Sequence, residues 1–488
     1  MARVIVAIRE DEPSPAMVDA IRRGWLAGLL WFRSAFGIRD ASGPGGGSGL
    51  RGASGPEVEA AAERVARLRA IWPPGVPCLF AIDEEGGLIQ QLCGLVESSG
   101  SVWPRLPSPR ALGRGDDPRL AFAHGREIGR RLRRLGLDLA LAPVVDLDPG
   151  PESAVLGTRC FAADPDRVTD IALHWLRGLA SAGVRGCVKH FPGHGATQVD
   201  SHQDLPYISA RTDFRPHREP YDRIAQAWRS EDGPPPAVLT AHIVCEPSRL
   251  PASLDADALR ELPAGLGPIL SDSLDMAALR PFGDLKKRGQ AALEAGSDLL
   301  IVGLDVEAGL ALARSVGEPS ALKLDAWKAA DPLPPIPEPW DPQDLMRAAE
   351  AGLRLLRDVP IPPGDWDWIL PVGFGPYGAV ADPPEGIDGR RRIARVVRYR
   401  QDDADSLAQA LLAGGRERPA LVAWAHRGPP DATTTRCLRA AGPRVRAVAH
   451  ILDGAAPELL PGAWCAETCG FGEGEMAALA RRWCLAAV

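Results

Sequence analysis

The sequence predicts an α/β fold: a (β/α)8 barrel of the TIM type followed by a smaller C-terminal α/β domain. Over the first 330 residues or so, short apolar runs alternate with amphipathic helical stretches. Strands separated by helices form a parallel sheet that is buried on both faces. Seven or eight such units in this length fit a closed barrel. A proline-rich stretch then separates this part of the chain from the rest.

Seven apolar runs are the predicted barrel strands. Each is short, rich in Val, Leu, Ile or Ala, and followed by turn-forming or helical sequence. The runs are GLLWF (28–32), CLFAI (78–82), LALAPVV (139–145), VRGCV (184–188), AVLTA (237–241), PILS (268–271) and DLLIV (298–302).

The stretch DPLPPIPEPWDP, residues 331–342, is predicted to be a stiff linker, because its prolines exclude it from a helix interior. A helix is expected directly after it, with Asp341 as the N-cap and Pro342 in the first turn. The predicted division is therefore a barrel over residues 1–330, the linker, and an α/β domain over residues 343–488.

The composition is that of a soluble globular protein and argues against several classes of function. The 488 residues are 45% hydrophobic and 24% charged, and the net charge of −7 disfavours a nucleic-acid partner. No apolar run approaches the ~20 residues of a membrane span. The N-terminal run VIVAI meets Arg9 and Glu10 too soon for a signal peptide, so a cytoplasmic protein without a membrane partner is expected. The Gly-rich segment ASGPGGGSG (41–49) lacks the spacing of a nucleotide-binding loop, and no cofactor is expected.

Polar side chains follow five of the predicted strands at the points where they end. The carboxyl ends of parallel barrel strands surround one mouth, where barrel enzymes carry out their chemistry, so these side chains are expected to lie close together. They are Asp83, Asp146, Lys189 with His190, His242 and Asp272.

The segment KHFPGHGATQVDSH, residues 189–202, gathers three histidines, a lysine and an aspartate without a helical period. His190 is expected at a strand end, rigid and inside the pocket, whereas Asp200 and His202 follow a Pro-Gly loop that can move over the mouth. A carboxylate near an imidazole fixes its tautomer and raises its basicity, so Asp200 and His202 are predicted to form a general acid/base pair. Lys189 is one of only five lysines among 56 basic residues, which favours a specific role for it.

Two interpretations of Asp272 stay open on the residues alone. It lies just past an apolar run, where a retaining glycosidase needs its carboxylate nucleophile. It is equally placed to be the N-cap of a following helix. Asp275 is a rival carboxylate, which we expect to enter that helix and face away.

A metal site is the competing interpretation of the histidines. His190, His194 and His202, together with Asp83 or Asp200, are side chains that can ligate zinc. The Pro-Gly pair at positions 192 and 193 prevents the helical spacing of metalloprotease sites, so no metal is the preferred expectation.

Several segments together resemble glycoside hydrolase family 3, in its β-N-acetylglucosaminidase branch. KHFPGHGATQVDSH looks like the signature of that branch, and AIDEEGGLIQQL resembles the family's Asp-Gln-Glu-Gly-Gly segment. APVVDLDPGPESAVLGTRCFAADPDRV, AVLTAHIV and PILSDSLDM resemble its later strand regions, and GQAALEAGSDLLIVG its closing units. TCGFGEGEMAALARRW looks like the end of its C-terminal domain. The likeness is strong over residues 60–310 and weaker beyond.

The resemblance implies a role for each matching residue. Asp272 would be the nucleophile, and His202 the acid/base assisted by Asp200. The sugar-binding positions that match are Asp83, Arg159, Lys189 and His190. The chain departs from the family pattern at Leu88 and Gln91, in a run where the family has arginines, and at Ala196, where it commonly has Asp. Gln91 can still hydrogen-bond to a sugar but carries no charge.

The expected activity is that of a retaining exo-β-N-acetylglucosaminidase acting on an N-acetylglucosamine-containing glycan or a muropeptide-like fragment in cell-wall recycling. Three alternatives remain: β-glucosidase specificity, phosphorolysis at the same site, and a non-catalytic carbohydrate-binding homologue. Retention of Asp272, Asp200 and His202 together disfavours the last, because binding alone needs no proton chemistry. The sequence does not indicate the oligomeric state.

Overall fold

The computed structural model covers residues of both the barrel and the part of the chain that follows it. The described residues are 2–10, 12–38, 57–150, 156–197, 204–231, 233–316, 327, 334–357, 364–371, 391–399, 404–412, 418–425, 438, 445–451, 464–468 and 476–480. The Gly-rich segment 41–49, most of the proposed acid/base loop and part of the linker lie outside these ranges.

Eight parallel strands form a barrel in the first part of the chain, which confirms the predicted fold class. They are β1 (Val4–Ile8), β2 (Leu26–Trp31), β3 (Leu79–Ile82), β4 (Leu139–Ala140), β5 (Cys187–Phe191), β6 (Ala237–Thr240), β7 (Ile269–Ser273) and β8 (Leu299–Val302). Their order in the sheet is β4-β3-β2-β1-β8-β7-β6-β5. Parallel bridges between Leu139 and Arg185 and between Val144 and Lys189 join the two ends of this sheet. The strands therefore close into a ring.

The structure corrects three details of the strand prediction. The run Val4–Ile8, interpreted only as too short for a signal peptide, is the first barrel strand, and all five of its residues are buried. The run 139–145 forms only a two-residue strand, because Pro143 has no N–H to contribute to a ladder. The fifth strand lies further along the chain than predicted, so Lys189 and His190 are inside it. A strand register is set by tertiary pairing, which local composition does not reveal.

Helices surround the barrel and also begin the second part. They are α1 (Pro15–Arg22), α2 (Val58–Ala70), α3 (Pro109–Gly115), α4 (Pro118–Leu135), α5 (Pro165–Ser181), α6 (Arg215–Trp228), α7 (Ala256–Arg260), α8 (Leu285–Ala295), α9 (Val306–Ser315), α10 (Pro342–Ala351) and α11 (Ala404–Leu412). Several begin with an Asp-Pro or Ser-Pro pair, in which the side chain caps the helix and proline occupies the first turn. The backbone N–H of Gln343 donates to Asp341 at 2.8 Å, so the predicted cap of α10 is confirmed.

Two apolar layers hold the barrel together. Within β1, Val4, Val6 and Ile8 pack outward in a cluster with the helices, whereas Ile5 belongs to the cluster that fills the barrel interior. Leu30, Leu239 and Ile301 contribute to the same interior cluster from other strands. Burial of apolar side chains on both faces is the main stabilising contribution to such a fold, at about 25 cal/mol per Å². It also explains why the strand runs are continuously apolar.

A second sheet, with six strands among the described residues, follows the barrel. Its strands are β9 (Arg354–Arg357), β10 (Gly364–Pro371), β11 (Arg391–Tyr399), β12 (Ala420–Ala425), β13 (Val445–Ile451) and β14 (Trp464–Thr468), in the order β9-β14-β13-β12-β10-β11. Only the pairing of β9 with β14 is antiparallel among these described strands. The helix α10 contacts the barrel helices α3 and α4, and Arg114 donates to the carbonyl of Gly352 at 3.1 Å. The division at residues 331–342 stays a prediction.

None of the helices in the described ranges combines the length and the apolar character needed to cross a membrane.

Glycine allows α4 and α5 to pack with their backbones in contact. A Cβ at Gly125 would overlap the carbonyl oxygen of Trp175, and one at Gly178 would overlap that of Phe122. Neither carbonyl can move without bending its helix, so these two glycines determine how closely the helices approach.

We expect Gly178→Ala to destabilise the protein by roughly 2 kcal/mol or more, because the added methyl group meets a helix backbone. The matched control is Gly289→Ala in α8, where the new Cβ would lie 2.8 Å from Cδ1 of Leu312, the end of a flexible side chain. Both substitutions gain up to ~1 kcal/mol of helix propensity, so the difference between them reports the steric cost. Urea unfolding of the two variants measures the difference; equal losses would contradict the backbone contact.

Candidate active site

The carboxyl ends of the barrel strands surround one cavity of about 300 Å³. Asp83, Lys189, His190 and Asp272 line it, as expected from their places at strand ends, and so does Arg159, which the family resemblance implied. Gln91 lines it as well. The other lining side chains include Arg9, Phe32, Glu85, Ile89, His194, Met276 and Leu304. The predicted sugar-binding residues are therefore brought together with the predicted nucleophile.

A buried network of charges forms one wall of the cavity. The ammonium of Lys189 lies 2.9 Å from Oδ1 of Asp83 and 2.6 Å from Oε1 of Glu85. The guanidinium of Arg159 donates to both oxygens of Glu85, each at 2.8 Å. Glu85 thus sits between two cations and satisfies both, which is the condition under which buried charges are tolerated.

The network keeps Glu85 and Lys189 charged. Burial alone would raise the pKa of Glu85, but Arg159 and Lys189 outweigh burial and hold it at about 2. Burial also acts to lower the pKa of Lys189, and the charges of Asp83 and Glu85 reverse this, so the pKa is raised. Glu85 and Lys189 therefore stay charged together at neutral pH, and the wall presents fixed donors and acceptors to a ligand.

Asp146 fixes the orientation of His190 and the start of the following loop. Its carboxylate lies 2.7 Å from Nδ1 of His190 and accepts from the backbone N–H of His194 at 2.6 Å. Burial lowers the pKa of His190 well below its usual range, and Arg159 and Lys189 act in the same direction. The neutral ring then donates from Nδ1 to Asp146, and Nε2, which lies 3.4 Å from Nη2 of Arg159, is left as an acceptor.

Glu84 holds the turn that carries Gln91. Its Oε2 accepts from the backbone N–H groups of Gln91 and Leu92 at 2.6 and 3.2 Å. Oε1 is buried without a hydrogen-bond partner among the described residues. Burial raises the pKa of Glu84 to about 7. The side-chain oxygen of Gln91 accepts from the backbone N–H of Arg33 at 3.0 Å, which fixes its amide at the cavity edge.

Asp272 lies inside β7, so it is not the N-cap of a helix. The N–H of Ser273 donates to its Oδ1 at 2.7 Å, and its charge acts on both His190 and His194. Asp275 has a different task. Its carboxylate accepts from Ser273 Oγ at 2.7 Å and from the backbone N–H groups of Leu304 and Asp305 at 2.8 and 2.7 Å. Asp275 lies in the turn after β7, so the expectation that it enters a helix is wrong, while these bonds direct its carboxylate towards the residues that follow β8.

Asp200 and His202 lie in residues 198–203, outside the described part of the chain. The loop before them is described as far as Thr197 and packs closely on its neighbours. A Cβ at Gly193 would lie 2.8 Å from Cβ of His217. Ala196 packs against an apolar cluster that contains Ile243, so an alanine suits the position where the family pattern has Asp.

Two features of the site escaped the sequence prediction, and one predicted contributor has another role. Glu85 and Arg9 line the cavity, yet Glu85 was part of a motif without an assigned task and Arg9 follows the strand that was missed. His242 is buried and contacts Ser253 Oγ at 2.7 Å and the carbonyl of Ser273 at 2.9 Å. It therefore supports the strand ends. Within the described ranges, no group of three or more His, Cys, Asp or Glu side chains has an arrangement that could hold a metal ion.

A closed parallel barrel with fixed carboxylates and cations around a mouth cavity is the architecture of enzymes that act on small polar substrates. The model of the glycosyl hydrolase family 3 N-terminal domain matches residues 55–319. The chain belongs to this family. The predicted family and the class of glycoside hydrolase are thereby confirmed.

Curated relatives agree with this assignment. A beta-hexosaminidase of Bordetella avium is 36% identical over 240 residues, which are 47% of this chain and 65% of that protein. A beta-hexosaminidase of Pseudomonas aeruginosa is 37% identical over 262 residues, covering 51% of this chain and 73% of the relative. The match therefore spans about two thirds of each relative and half of this chain.

Solved structures extend the likeness to the second sheet. A family 3 β-N-acetylglucosaminidase from Paenibacillus sp. superposes with a TM-score of 0.76, covering 99% of this chain and 96% of that one at 23% identity, which shows the shared fold. NagZ from Neisseria gonorrhoeae, solved in complex with N-trifluoroacetyl-D-glucosamine, covers 67% of this chain and 88% of its own, with a TM-score of 0.54 and 26% identity.

The raised pKa of Glu84 predicts a pH-dependent stability. The ordinary value is 4.5, so between about pH 4.5 and 7 the folded chain holds a proton that the unfolded chain has released. The free energy of unfolding should therefore fall as the pH rises through this window, by up to about 3 kcal/mol from this group. Glu84→Gln removes the titration and should unfold with a flatter pH dependence, measured in urea from pH 4.5 to 8.

The control is Glu63→Gln on the exposed face of α2, which has no comparable burial. It should follow the wild-type pH profile. A Glu84→Gln profile parallel to wild type would show that Glu84 is ionised throughout.

Proposed function

We propose that this protein is a retaining exo-β-N-acetylglucosaminidase with Asp272 as its nucleophile. The observation that carries the proposal is that Asp272 lines the same cavity as the charged network of Asp83, Lys189 and Arg159. The beta-hexosaminidase relatives support N-acetylhexosamine as the sugar. The NagZ complex supports it too, since its ligand is an N-acylated glucosamine.

The network supplies the groups that a sugar ring needs. Lys189 and Arg159 donate to hydroxyl oxygens, Asp83 accepts from hydroxyl hydrogens, and Nε2 of His190 offers one further acceptor. Because Glu85 already bonds to both cations, they are pre-oriented and need not be ordered by the substrate. Such a rigid binding site directs binding energy towards the reacting carbon.

The reaction is a double displacement. Asp272 attacks the anomeric carbon and forms a covalent glycosyl-enzyme while His202, protonated, donates its proton to the departing oxygen. Neutral His202 then takes a proton from water, which attacks the same carbon and releases Asp272. Asp200 orients the imidazole and raises its basicity. The roles of Asp200 and His202 rest on the KHFPGHGATQVDSH motif, and the anchoring of His194 by Asp146 supports a loop that starts at the cavity.

The predicted N-acetylglucosamine-containing or muropeptide-like substrate belongs to this proposal. The cytoplasmic location and the role in cell-wall recycling stay predictions from the family resemblance.

The test of specificity compares 4-nitrophenyl β-N-acetylglucosaminide with 4-nitrophenyl β-glucoside. We expect kcat/KM for the first to exceed that for the second by about a hundredfold, since a site built to bind an amide group rejects a hydroxyl in its place. Product analysis in phosphate buffer distinguishes hydrolysis, which releases free sugar, from phosphorolysis, which releases sugar 1-phosphate. Preference for the glucoside, or sugar 1-phosphate as the main product, would replace the proposal with the matching alternative.

Removal of the nucleophile should abolish turnover but leave a site in which a small external nucleophile can restore cleavage. Asp272→Ala is expected to lower kcat by roughly a thousandfold or more. Added azide can then attack the anomeric carbon directly, and a single displacement gives the α-glycosyl azide, which NMR identifies. Asp284→Asn, at the exposed N-cap of α8, is the matched control and should retain activity. Wild-type turnover by Asp272→Ala would remove Asp272 from the mechanism.

A further inference from the structure

Arg9 is a cation held at the rim of the cavity by three strands. It follows β1, its guanidinium carbon lies 3.8 Å from the ring centroid of Phe32 after β2, and it donates to the carbonyl of Gly303 after β8. The donors are Nε at 3.2 Å and Nη2 at 2.7 Å. An arginine stacked on an aromatic face and bonded through two nitrogens has little freedom to move.

Within the described part of the chain, no ion pair neutralises the positive charge of Arg9. No carboxylate among the described residues lies within 4.0 Å of it. Asp275 is the acid whose charge acts on it, and the oxygens of Asp275 are engaged by Ser273 and by backbone N–H groups. The other cations of the cavity, Lys189 and Arg159, are paired with Asp83 and Glu85. Of the three described cations that line the cavity, Arg9 is thus the one that no carboxylate pairs with.

Arg9 also has donor capacity to spare. Its contacts use Nε and Nη2, and Nη1 has no hydrogen-bond partner within the described ranges. A guanidinium matches the geometry of carboxylate and phosphate, with which it forms charge-assisted hydrogen bonds. The neighbouring lining residues Phe32 and Leu304 are apolar, and Leu304 is 58% exposed, so the charge is set in an apolar rim. Burial lowers the pKa of Arg9, so its charge is partly desolvated, and partial desolvation strengthens its attraction to an opposite charge.

We propose that Arg9 is a specificity-determining residue that binds an anionic group of the substrate, so that the site prefers acidic saccharides to neutral ones. This inference rests on the proposed function, because it concerns the substrate of the same cavity. The anionic group is a carboxylate or phosphate, carried either by the sugar that is cleaved off or by the leaving aglycone. Nη1 and Nη2 would donate to its oxygens, in place of water.

The alternative is that Arg9 only ties β1 to β8 through Gly303. A purely structural arginine affects folding, and through folding it lowers the turnover of every substrate by the same factor. A binding arginine affects acidic substrates selectively. The ratio of acidic to neutral substrate therefore separates the two roles.

The experiment uses two matched pairs of aryl β-N-acetylglucosaminides. One pair carries a para carboxylate or a para carboxamide on the phenyl leaving group; the other carries a phosphate or a free hydroxyl at the sugar 6-position. Arg9→Gln should lower the acidic-to-neutral ratio of kcat/KM by about tenfold in one pair, the size of a lost charge-assisted hydrogen bond. The pair that responds identifies the source of the anion. Intrinsic differences between leaving groups cancel when wild type and variant are compared.

Two further variants complete the design. Arg9→Lys keeps the charge and loses the planar fork, so its ratio should lie between those of wild type and Arg9→Gln. Arg23 is the matched control, because it also stacks on an aromatic ring, that of Trp25, but it is ion-paired with Asp19 in α1. Arg23→Gln should leave both ratios unchanged. Raising the salt concentration should weaken the preference for acidic substrates in wild type and in Arg23→Gln, but not in Arg9→Gln, which has lost the charge.

Equal effects of Arg9→Gln on acidic and neutral members of both pairs, or no effect, would overturn the inference. Failure of the proposed function has a different signature, since the wild-type protein would then not cleave the neutral glycosides. Calorimetric binding of the same pairs to wild type and Arg9→Gln gives the ratio in that case too. Melting temperatures of the variants identify any that fail to fold.

Discussion

The site depends on Glu85, a carboxylate enclosed between Arg159 and Lys189. Without it, two cations would face each other in a buried wall, and each would lower the other's tendency to stay charged. Because Glu85 is buried and accepts two hydrogen bonds from Arg159, it also fixes the plane of the guanidinium. The motif Asp-Glu-Glu-Gly-Gly therefore places the half-buried Asp83, a proposed sugar ligand, two residues before Glu85, which holds both cations in place.

Asp146 connects this wall to the loop that is proposed to carry the acid/base pair. One carboxylate holds the ring of His190, in a strand, and the backbone of His194, in the loop that follows. Position and protonation state are thus set together, since burial keeps His190 neutral and Asp146 defines its tautomer. The segment Lys189–Thr197 is therefore anchored at His190 and His194, and the predicted proton-transfer pair begins only three residues later.

The sequence predicted the fold where local chemistry decides and failed where distant pairing decides. The cap at Asp341 and the proline after it follow from neighbouring residues, and so does the set of apolar strands. The position of the fifth strand does not, because its register depends on the strands beside it. Val4–Ile8 was missed because five apolar residues before a charged turn are compatible with several structures until the neighbouring strand is known.

The same distinction holds at the site. Strand ends and the family motif located Asp83, Lys189, His190 and Asp272. The pairing of Glu85 with Arg159 joins residues 74 positions apart, which no local spacing encodes. Arg9 and Gly303 are separated by 294 positions.

The long separation between the first and last strands affects how the chain folds during synthesis. The first strand pairs on one side with β2, soon after synthesis, but its other partner is β8, where Val4 lies opposite Leu300. Until nearly three hundred residues have left the ribosome, the newborn sheet keeps an open apolar edge that can pair with another chain. The barrel therefore closes only when its last strand is available. The time during which the open edge can pair with another chain depends on the length of chain between the first and last strands.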